Sequence, residues 1–284
     1  MTEFNPGLIE RVQATRGVIF DMDGTLVLGD AKSGGHTPLP GAIDLLKLLR
    51  RREIPFRIFT NGTFKTPQTY AASLRHAGLD VSDGEMMTPS TSAAAWFEKR
   101  GIRKIRVLGG AGVQGPLRER GLEVVGPSET ADGIEAVYTG WFREFTFPDL
   151  EAACHDVWAG ALLTTASNVP FFATQSGKAI GASFAINAMI RSLTGKRARV
   201  LGKPSREAMS CALRAMGIPA SAASQAIVIG DDPALEMRMA RSSGALAIAV
   251  TTGLLDRGSF GRAVAAERPD IVLDGLLPMI DVLR

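Results

Sequence analysis

Short apolar runs that alternate with helix-like segments restrict the fold of this chain more than any other feature. The runs at residues 18–20, 56–59, 105–108, 226–229 and 245–250 consist mostly of Val, Ile, Leu, Ala and Phe. Strands without polar alternation are typically buried on both faces, as in a parallel sheet. The segments between the runs carry helix start and stop signals, such as an early Pro and a late Gly. This order predicts an α/β fold with a doubly wound, Rossmann-like parallel sheet.

The middle of the chain contains a second series of strand and helix signals. It includes the Gly- and Pro-rich breaks "GGAGVQGP" and "GPSETADG", and the segments on either side of it both resemble parts of an outer sheet. We therefore expect a core domain made of residues 1–90 and 196–284, with residues 91–195 forming an inserted α/β domain.

Composition excludes several classes of protein. The 284 residues are 45% hydrophobic and 21% charged, as in an ordinary globular protein. A net charge of +3 gives no indication of nucleic-acid binding, and the absence of a long apolar run gives none of a membrane partner. Cys154 and Cys211 have neither disulfide nor metal spacing, and the N-terminal residues lack a signal-peptide pattern. We therefore expect a cytoplasmic protein.

Two carboxylates, Asp21 and Asp23, follow the first apolar run in "GVIFDMDGT". Burial of an unpaired carboxylate is costly, and a divalent cation at the end of the strand would neutralise the pair. Oxygen ligands suit Mg²⁺, which also binds substrate phosphates. One carboxylate could attack phosphorus while the other protonates the leaving oxygen. The alternative is a strand end followed by an Asp-Gly turn with solvated carboxylates.

Polar groups also follow three later apolar runs. Thr60 and Asn61 could hold phosphate oxygens, Lys203 could balance negative charge, and Asp231 could complete the ligand set of a cation. Taken singly, the first two sites are better explained as an Asn-Gly turn and a loop lysine, and at the third a helix cap formed by Asp232 is compatible with a ligand role for Asp231. Taken together, they supply the positioning and charge neutralisation that phosphoryl transfer requires.

These motifs resemble those of the haloacid dehalogenase superfamily, in its nitrophenylphosphatase-like branch of phosphatases. "DMDGT" resembles the first motif, "TNGT" lies at the second, "GKPS" at the third and "GDD" at the fourth. The insert resembles a type-2 α/β cap, which selects the substrate in such enzymes. The resemblance implies that Asp21 forms an aspartyl-phosphate and that Asp23 is the acid/base. It also implies that the phosphoryl group is held by Thr60, Asn61 and Lys203.

The cofactor implied by the resemblance is Mg²⁺. Its implied ligands are the Asp21 carboxylate, the backbone carbonyl of Asp23 and the Asp231 carboxylate. Many relatives carry another Asp a few residues after the "GD" pair, where this chain has Glu236. Either Asp232 or Glu236 could therefore support the metal.

Two stretches depart from the family pattern. "LVLGDAKSGGHTPLPG", which follows the first motif, is longer and richer in Gly than the usual connection, where such enzymes have a mobile flap. Its His36 could touch a substrate, but we interpret it as a solvated loop histidine. The stretch "TTASNVPFFATQSG" lacks the acid found in the corresponding "ATNPD" of relatives, so no substrate is carried over from them.

The sequence as a whole predicts a Mg²⁺-dependent phosphatase that acts on a small phosphomonoester through an aspartyl-phosphate. The substrate would be a sugar phosphate, a nucleotide monophosphate or an aryl phosphate. The alternative is a non-catalytic, regulatory protein that keeps the fold and binds a phosphorylated metabolite. "GAGVQG" matches a dinucleotide-binding fingerprint, but we interpret it as a Gly-rich turn of the inserted domain. Type-2 cap relatives often pair through their caps, so the resemblance makes a homodimer the candidate assembly.

Overall fold

The computed structural model describes residues 4–29, 35–174, 177–253 and 255–284. Part of the predicted flap, residues 30–34, therefore lies outside the described residues. The chain forms two compact units. The first unit comprises Met1–Thr60, Gln68–Met87 and Met209–Arg284, and the second comprises Asn61–Pro67 and Thr88–Ala208. The predicted division into a core and a cap stays a prediction, and the second unit also includes residues 61–67, 88–90 and 196–208.

Strands and helices alternate along much of the described chain. The strands are β1 (Gly17–Phe20), β2 (Val27–Gly29), β3 (His36–Pro38), β4 (Phe56–Phe59), β5 (Met86–Met87), β6 (Lys104–Leu108), β7 (Glu123–Val125), β8 (Ala136–Thr139), β9 (Leu162–Thr165), β10 (Phe171–Thr174), β11 (Gly177–Ile180), β12 (Arg199–Val200), β13 (Ala226–Gly230), β14 (Leu246–Val250) and β15 (Ile271–Leu273). The α-helices are α1 (Pro6–Gln13), α2 (Ala42–Arg51), α3 (Pro67–His76), α4 (Pro89–Lys99), α5 (Ala111–Glu119), α6 (Phe147–Trp158), α7 (Ala182–Thr194), α8 (Arg206–Ala215), α9 (Arg238–Ser243), α10 (Arg257–Gly261) and α11 (Leu277–Leu283). A π-helical turn (Pro233–Met237) and short 3₁₀ helices (Asp83–Glu85, Ala220–Gln225 and Ala265–Glu267) complete the helical segments.

The first unit is built on a six-stranded parallel sheet with the order β15-β14-β13-β1-β4-β5. The chain moves from β1 through β4 to β5 on one side, and β13, β14 and β15 add on the other side. The direction of winding therefore reverses at β1, and ligands of open α/β sheets bind at such a switch point, beyond the carboxyl ends of the strands. The prediction of a doubly wound parallel sheet is confirmed.

Helix α2 shows how the sequence pattern covers this sheet. Its apolar residues recur at helical spacing, and Leu45, Leu46 and Leu49 are fully buried in a cluster with side chains of the central strands. The polar face ends in Arg50, whose guanidinium forms ion pairs of 2.7 Å with both Asp80 and Glu85. Arg50 therefore anchors the end of this helix to the segment that leads into β5.

The second unit contains a five-stranded parallel sheet with the order β12-β9-β8-β6-β7. One face packs Ile105, Val107 and Tyr138 against α4 and α5, and the other packs Leu108 and Val137 against α6 and α7. Both faces are covered, as expected for an all-parallel sheet. Strands β10 and β11 form a separate antiparallel hairpin.

A charged residue fastens one face of this sheet. Arg106 on β6 is almost fully buried and pairs with Asp156 of α6 at 2.5 Å. Its guanidinium also donates to the carbonyls of Gly126, Pro127 and Glu129, at 2.8–3.1 Å. A buried cation persists when its donors are satisfied in this way, so Arg106 fixes the connection that follows β7.

The interpretation of "GAGVQG" as a Gly-rich turn is wrong, because these residues begin helix α5. A Cβ atom on Gly112 would lie 2.5 Å from the Thr63 carbonyl oxygen and 2.6 Å from that of Lys65. The glycine therefore lets the helix approach the backbone that follows the "TNGT" motif. This close packing explains Gly112 without a dinucleotide.

The burial of the cysteines and the hydropathy of the helices are two further features of the described residues. Cys154 and Cys211 are both buried, and burial raises the pKa of the Cys154 thiol. Within the described ranges, no helix combines the length and the apolar character needed to cross a membrane.

Candidate active site

Asp21 follows β1 at the switch point of the first unit's sheet. Its N–H donates to the Ile229 carbonyl of the neighbouring β13 at 2.8 Å, which continues the parallel pairing by one residue. Its side chain is buried, and the fully buried Thr25 hydroxyl donates to its Oδ2 at 3.5 Å. The sheet therefore holds this carboxylate at the carboxyl end of the strand, as the sequence predicts.

Asp231 follows β13, the strand that pairs directly with β1. Its carboxylate lies against two glycines, because an added Cβ would come within 2.4 Å of Oδ2 at Gly24 and within 1.7 Å at Gly253. Gly24 has a φ of +80°, a left-handed conformation that favours glycine. The Thr252 hydroxyl donates to the Gly24 carbonyl at 2.6 Å and ties the two glycine segments together.

Asp232 and Glu236 organise the turn after β13. Asp232 Oδ1 accepts a hydrogen bond from the Ala234 N–H at 2.7 Å, so the predicted helix cap is confirmed. Glu236 is buried, and its Oε2 accepts from the Asp232 N–H at 3.2 Å. The Glu236 side chain also packs on Gly230, where a Cβ would lie 2.2 Å from its Cγ. Glu236 therefore braces the backbone that carries Asp231, and support of a metal by either residue stays a prediction.

Asp23 lies two residues beyond Asp21, and its side chain is 55% exposed. His36 Nε2 lies 3.8 Å from Asp23 Oδ1, while Nδ1 is 2.8 Å from the Ser73 hydroxyl. The His36 side chain is only 8% exposed. The interpretation of His36 as a solvated loop histidine is therefore wrong.

Thr60 follows β4, on the other side of β1 from β13. It is buried, and its N–H donates to the Met87 carbonyl at 3.2 Å. Within the first unit, Asp21, Thr60 and Asp231 thus follow three adjacent parallel strands. This is the arrangement that the sequence predicts for them.

Asn61 and Lys203 are joined within the second unit. Asn61 Nδ2 donates to the Lys203 carbonyl at 3.0 Å, and Asn61 Oδ1 accepts from the Lys203 N–H at 2.9 Å. Lys203 is almost fully buried. The Asn61 amide therefore positions the backbone of Lys203, and direct contact of either side chain with phosphate stays a prediction.

Sequence reasoning missed Thr25, Thr252 and Gly253. A usable signal existed for the last two, because the apolar run of β14 ends in "TTG", the same strand-end pattern that identified Thr60. Thr25 gave no such signal, since its contact with Asp21 depends on the turn that Gly24 makes.

The carboxylates fit a divalent cation that a substrate and water help to bind. Among the residues described, no three His, Cys, Asp or Glu side chains form a cluster that could hold a metal ion. Mg²⁺ typically uses one or two carboxylates and keeps several waters. Asp21 and Asp231, which follow adjacent strands, would supply two such ligands, and the space left by Gly24 and Gly253 accommodates the second of them.

Two family models match this chain, one in its first half and the other in its last third. A model described as haloacid dehalogenase-like hydrolase matches residues 18–123, and a second, described as HAD-hydrolase-like, matches residues 200–278. The first match contains Asp21, Asp23, Thr60 and Asn61. The second contains Lys203, Asp231, Asp232 and Glu236.

Comparisons with individual proteins cover nearly the whole chain. The phospholysine phosphohistidine inorganic pyrophosphate phosphatase of Rattus norvegicus is 28% identical over 276 residues, covering 96% of each protein. The structure of a hypothetical protein from Pyrococcus horikoshii OT3 has a TM-score of 0.84 at 26% identity, covering 94% of this chain and 99% of that one. The 4-nitrophenylphosphatase of Thermotoga maritima shares the fold, with a TM-score of 0.84 at 24% identity over 96% of this chain and 99% of that one.

Proposed function

This chain belongs to the haloacid dehalogenase-like hydrolases, and we propose that it is a Mg²⁺-dependent phosphatase of small phosphomonoesters. The observation that carries the proposal is the placement of Asp21, Thr60 and Asp231 after three adjacent parallel strands at the switch point of one sheet. A carboxylate nucleophile, a hydroxyl and a second carboxylate at this edge are the groups that phosphoryl transfer on an aspartate requires.

The proposed reaction has two displacements at phosphorus. In the first, an Asp21 carboxylate oxygen attacks phosphorus, the bond to the ester oxygen breaks, and Asp23 gives that oxygen a proton. In the second, Asp23 takes a proton from water, the water oxygen attacks phosphorus, and the bond to Asp21 breaks. Inorganic phosphate leaves, and both carboxylates regain their starting states.

The chain's own residues favour these steps by position and charge. Thr25 orients Asp21 through its hydroxyl, and the two glycines with Thr252 orient Asp231. The proposed ligands of Mg²⁺ are the Asp21 and Asp231 carboxylates and the Asp23 backbone carbonyl. When bound, the cation neutralises negative charge at the carboxylates and the phosphoryl group. Phosphate binding by Thr60, Asn61 and Lys203 is proposed from the sequence resemblance.

The substrate class is proposed as a sugar phosphate, a nucleotide monophosphate or an aryl phosphate. The name of the rat relative adds pyrophosphate, phospholysine and phosphohistidine as compounds to test. Selection of the substrate by residues 91–195, assembly as a homodimer and a cytoplasmic location remain predictions from the sequence.

Substitution of the nucleophile tests the proposal. We expect the wild-type protein with Mg²⁺ to release phosphate from 4-nitrophenyl phosphate, and EDTA to abolish the release. Asp21→Asn should reduce kcat by at least ~10³-fold, because an amide cannot form the acyl phosphate. Asp44→Asn, an exposed position in the first turn of α2, is the matched control and should leave kcat unchanged.

Two outcomes would contradict the proposal. One is turnover by Asp21→Asn at close to the wild-type rate, which would remove Asp21 as the nucleophile. The other is metal-dependent binding of phosphorylated compounds without turnover across a broad panel, which would favour the non-catalytic alternative.

A further inference from the structure

His36 belongs to a hairpin that directly follows the loop containing Asp23. Strands β2 and β3 pair in antiparallel register, with His36 opposite Gly29. The Gly24 N–H donates to the Val27 carbonyl at 2.8 Å, which fixes the hairpin against the loop. A Cβ added to Gly29 would lie 3.8 Å from Asp23 Oδ1. Both members of this strand pair therefore approach the same carboxylate oxygen.

The imidazole of His36 has a polar neighbour on each side, a hydrogen-bonded one at Nδ1 and a more distant one at Nε2. Nδ1 lies 2.8 Å from the hydroxyl of Ser73 on α3, and Nε2 lies 3.8 Å from Asp23 Oδ1. The ring is nearly buried, whereas the Asp23 side chain is largely exposed. An exposed carboxylate can rotate among several orientations, and a fixed neighbour on one side reduces that freedom.

The contacts favour one tautomer of the ring. If the Ser73 hydroxyl donates to Nδ1, the ring hydrogen is on Nε2 and points at the Asp23 carboxylate. With the hydrogen on Nδ1 instead, the lone pair of Nε2 would face a carboxylate oxygen, which is repulsive. Attraction between the N–H and the carboxylate therefore selects the Nε2–H form.

Resting on the phosphatase proposed above, we infer that His36 is a positioning residue that orients Asp23 for proton transfer. Nε2–H attracts Oδ1 of Asp23 electrostatically and forms a hydrogen bond with it when the exposed carboxyl group moves closer, so the transferable proton resides on Oδ2. Ser73 acts indirectly, because its contact with Nδ1 sets the tautomer of His36. The hairpin thus does more than connect β1 to α2, because it fixes which carboxylate oxygen delivers the proton.

A matched pair of substrates isolates this role. 4-Nitrophenyl phosphate and phenyl phosphate are similar in size, but phenolate is the more basic leaving group and depends more on a proton from Asp23. The ratio of their kcat/KM values reports the step in which the leaving group departs. We expect His36→Ala to lower kcat/KM about tenfold or more for phenyl phosphate and less than about threefold for 4-nitrophenyl phosphate, part of the ~10²–10⁴-fold effect of a positioned acid.

Three further variants separate positioning from structure. His36→Gln retains an N–H donor near the position of Nε2 and should recover part of the loss on phenyl phosphate. Ser73→Ala should produce a smaller loss of kcat/KM, again mainly for phenyl phosphate. His76→Gln, at an exposed position on the same helix α3, is the control and should leave kcat/KM unchanged for both substrates.

The tautomer provides a readout that does not depend on turnover. Nitrogen-15 NMR of labelled histidine should show His36 as the Nε2–H form, and the Nδ1–H form would contradict the inference. Equal losses on both substrates, or no loss, would refute the role of His36 while leaving the phosphatase intact. A wild-type protein that hydrolyses neither substrate would refute the phosphatase and this role together.

Discussion

Single side chains around Asp231 illustrate how closely the candidate site is fitted. Gly24 and Gly253 both lie where a Cβ would overlap the Asp231 carboxylate, and Thr252 joins their segments. The orientation of this carboxylate therefore requires glycine, which has no side chain, at both positions. A methyl group at either position would force the carboxylate to change its orientation.

Gly253→Ala should weaken metal binding without removing any ligand. The new Cβ would overlap Asp231 Oδ2 at 1.7 Å, so the carboxylate must rotate. We expect the Mg²⁺ concentration for half-maximal activity to rise about tenfold or more, a loss of roughly 1.4 kcal/mol in metal binding.

The control for this substitution is Gly261→Ala, where an added Cβ meets no atom within 4 Å. It should retain the wild-type dependence on Mg²⁺ in the same titration. An unchanged titration for Gly253→Ala would show that the position of Asp231 does not govern metal affinity.

At the scale of residues, the sequence identified three groups that directly follow adjacent strands and misjudged His36, whose environment depends on a distant partner. Asp21, Thr60 and Asp231 were predictable because the carboxyl ends of adjacent parallel strands meet at one edge. His36 was not, because its partner Ser73 lies 37 residues further along the chain, on α3. A single sequence carries no signal for such a contact.

At the scale of elements, helix α5 shows tertiary packing overriding local preference. Its first turns contain Gly112 and Gly115, and Pro116 follows inside the helix, a composition typical of a turn. The helix persists because Val113 and Leu117 are buried in the second unit's core and Gly112 permits a close approach to the segment after Asn61. Sequence reasoning therefore failed here for an identifiable physical reason.

Two alanine substitutions on this helix should have opposite effects on stability. Gly112→Ala places a Cβ 2.5 Å from a backbone oxygen, and overpacking of this kind costs ~1–3 kcal/mol. Gly115→Ala meets only the Thr66 methyl group at 3.5 Å and gains up to ~1 kcal/mol of helix propensity. Urea unfolding of both variants measures the difference, and equal free energies of unfolding would contradict the packing argument.

Strand positions were more predictable than this helix. Residues 56–59 match β4 in full, and the other four predicted strands differ from the observed bounds by one residue. Their success has a simple origin, since strands buried on both faces must be apolar along their whole length. Arg106 in β6 is a charged residue that is nonetheless buried, and it is tolerated because Asp156 and three carbonyls satisfy it.

At the scale of the whole molecule, each unit has its own hydrophobic core and its own parallel sheet. The proposed carboxylate ligands of the metal all belong to the first unit. Binding of Mg²⁺ should therefore stabilise that unit directly, as any ligand that binds only the folded state does.

Mg²⁺ should raise the melting temperature of the wild-type protein. At about 100 times its Kd, the ion would stabilise the folded state by ~2.7 kcal/mol, which corresponds to a rise of several degrees. Asp231→Asn should lose most of this rise, whereas Asp44→Asn should keep it. Differential scanning calorimetry with Mg²⁺ or EDTA measures the shift, and an identical rise in Asp231→Asn would exclude Asp231 as a ligand.

The central place of β1 in its sheet has a consequence for synthesis on the ribosome. β4, on one side of β1, is translated soon after it, but β13 on the other side begins only at Ala226. At ~5–20 residues per second, the nascent chain spends roughly ten seconds or more with that edge of β1 unpaired. Asp21 consequently emerges long before the strand that accepts its N–H, so a nascent chain that stops short of Ala226 holds this carboxylate without β13 beside it.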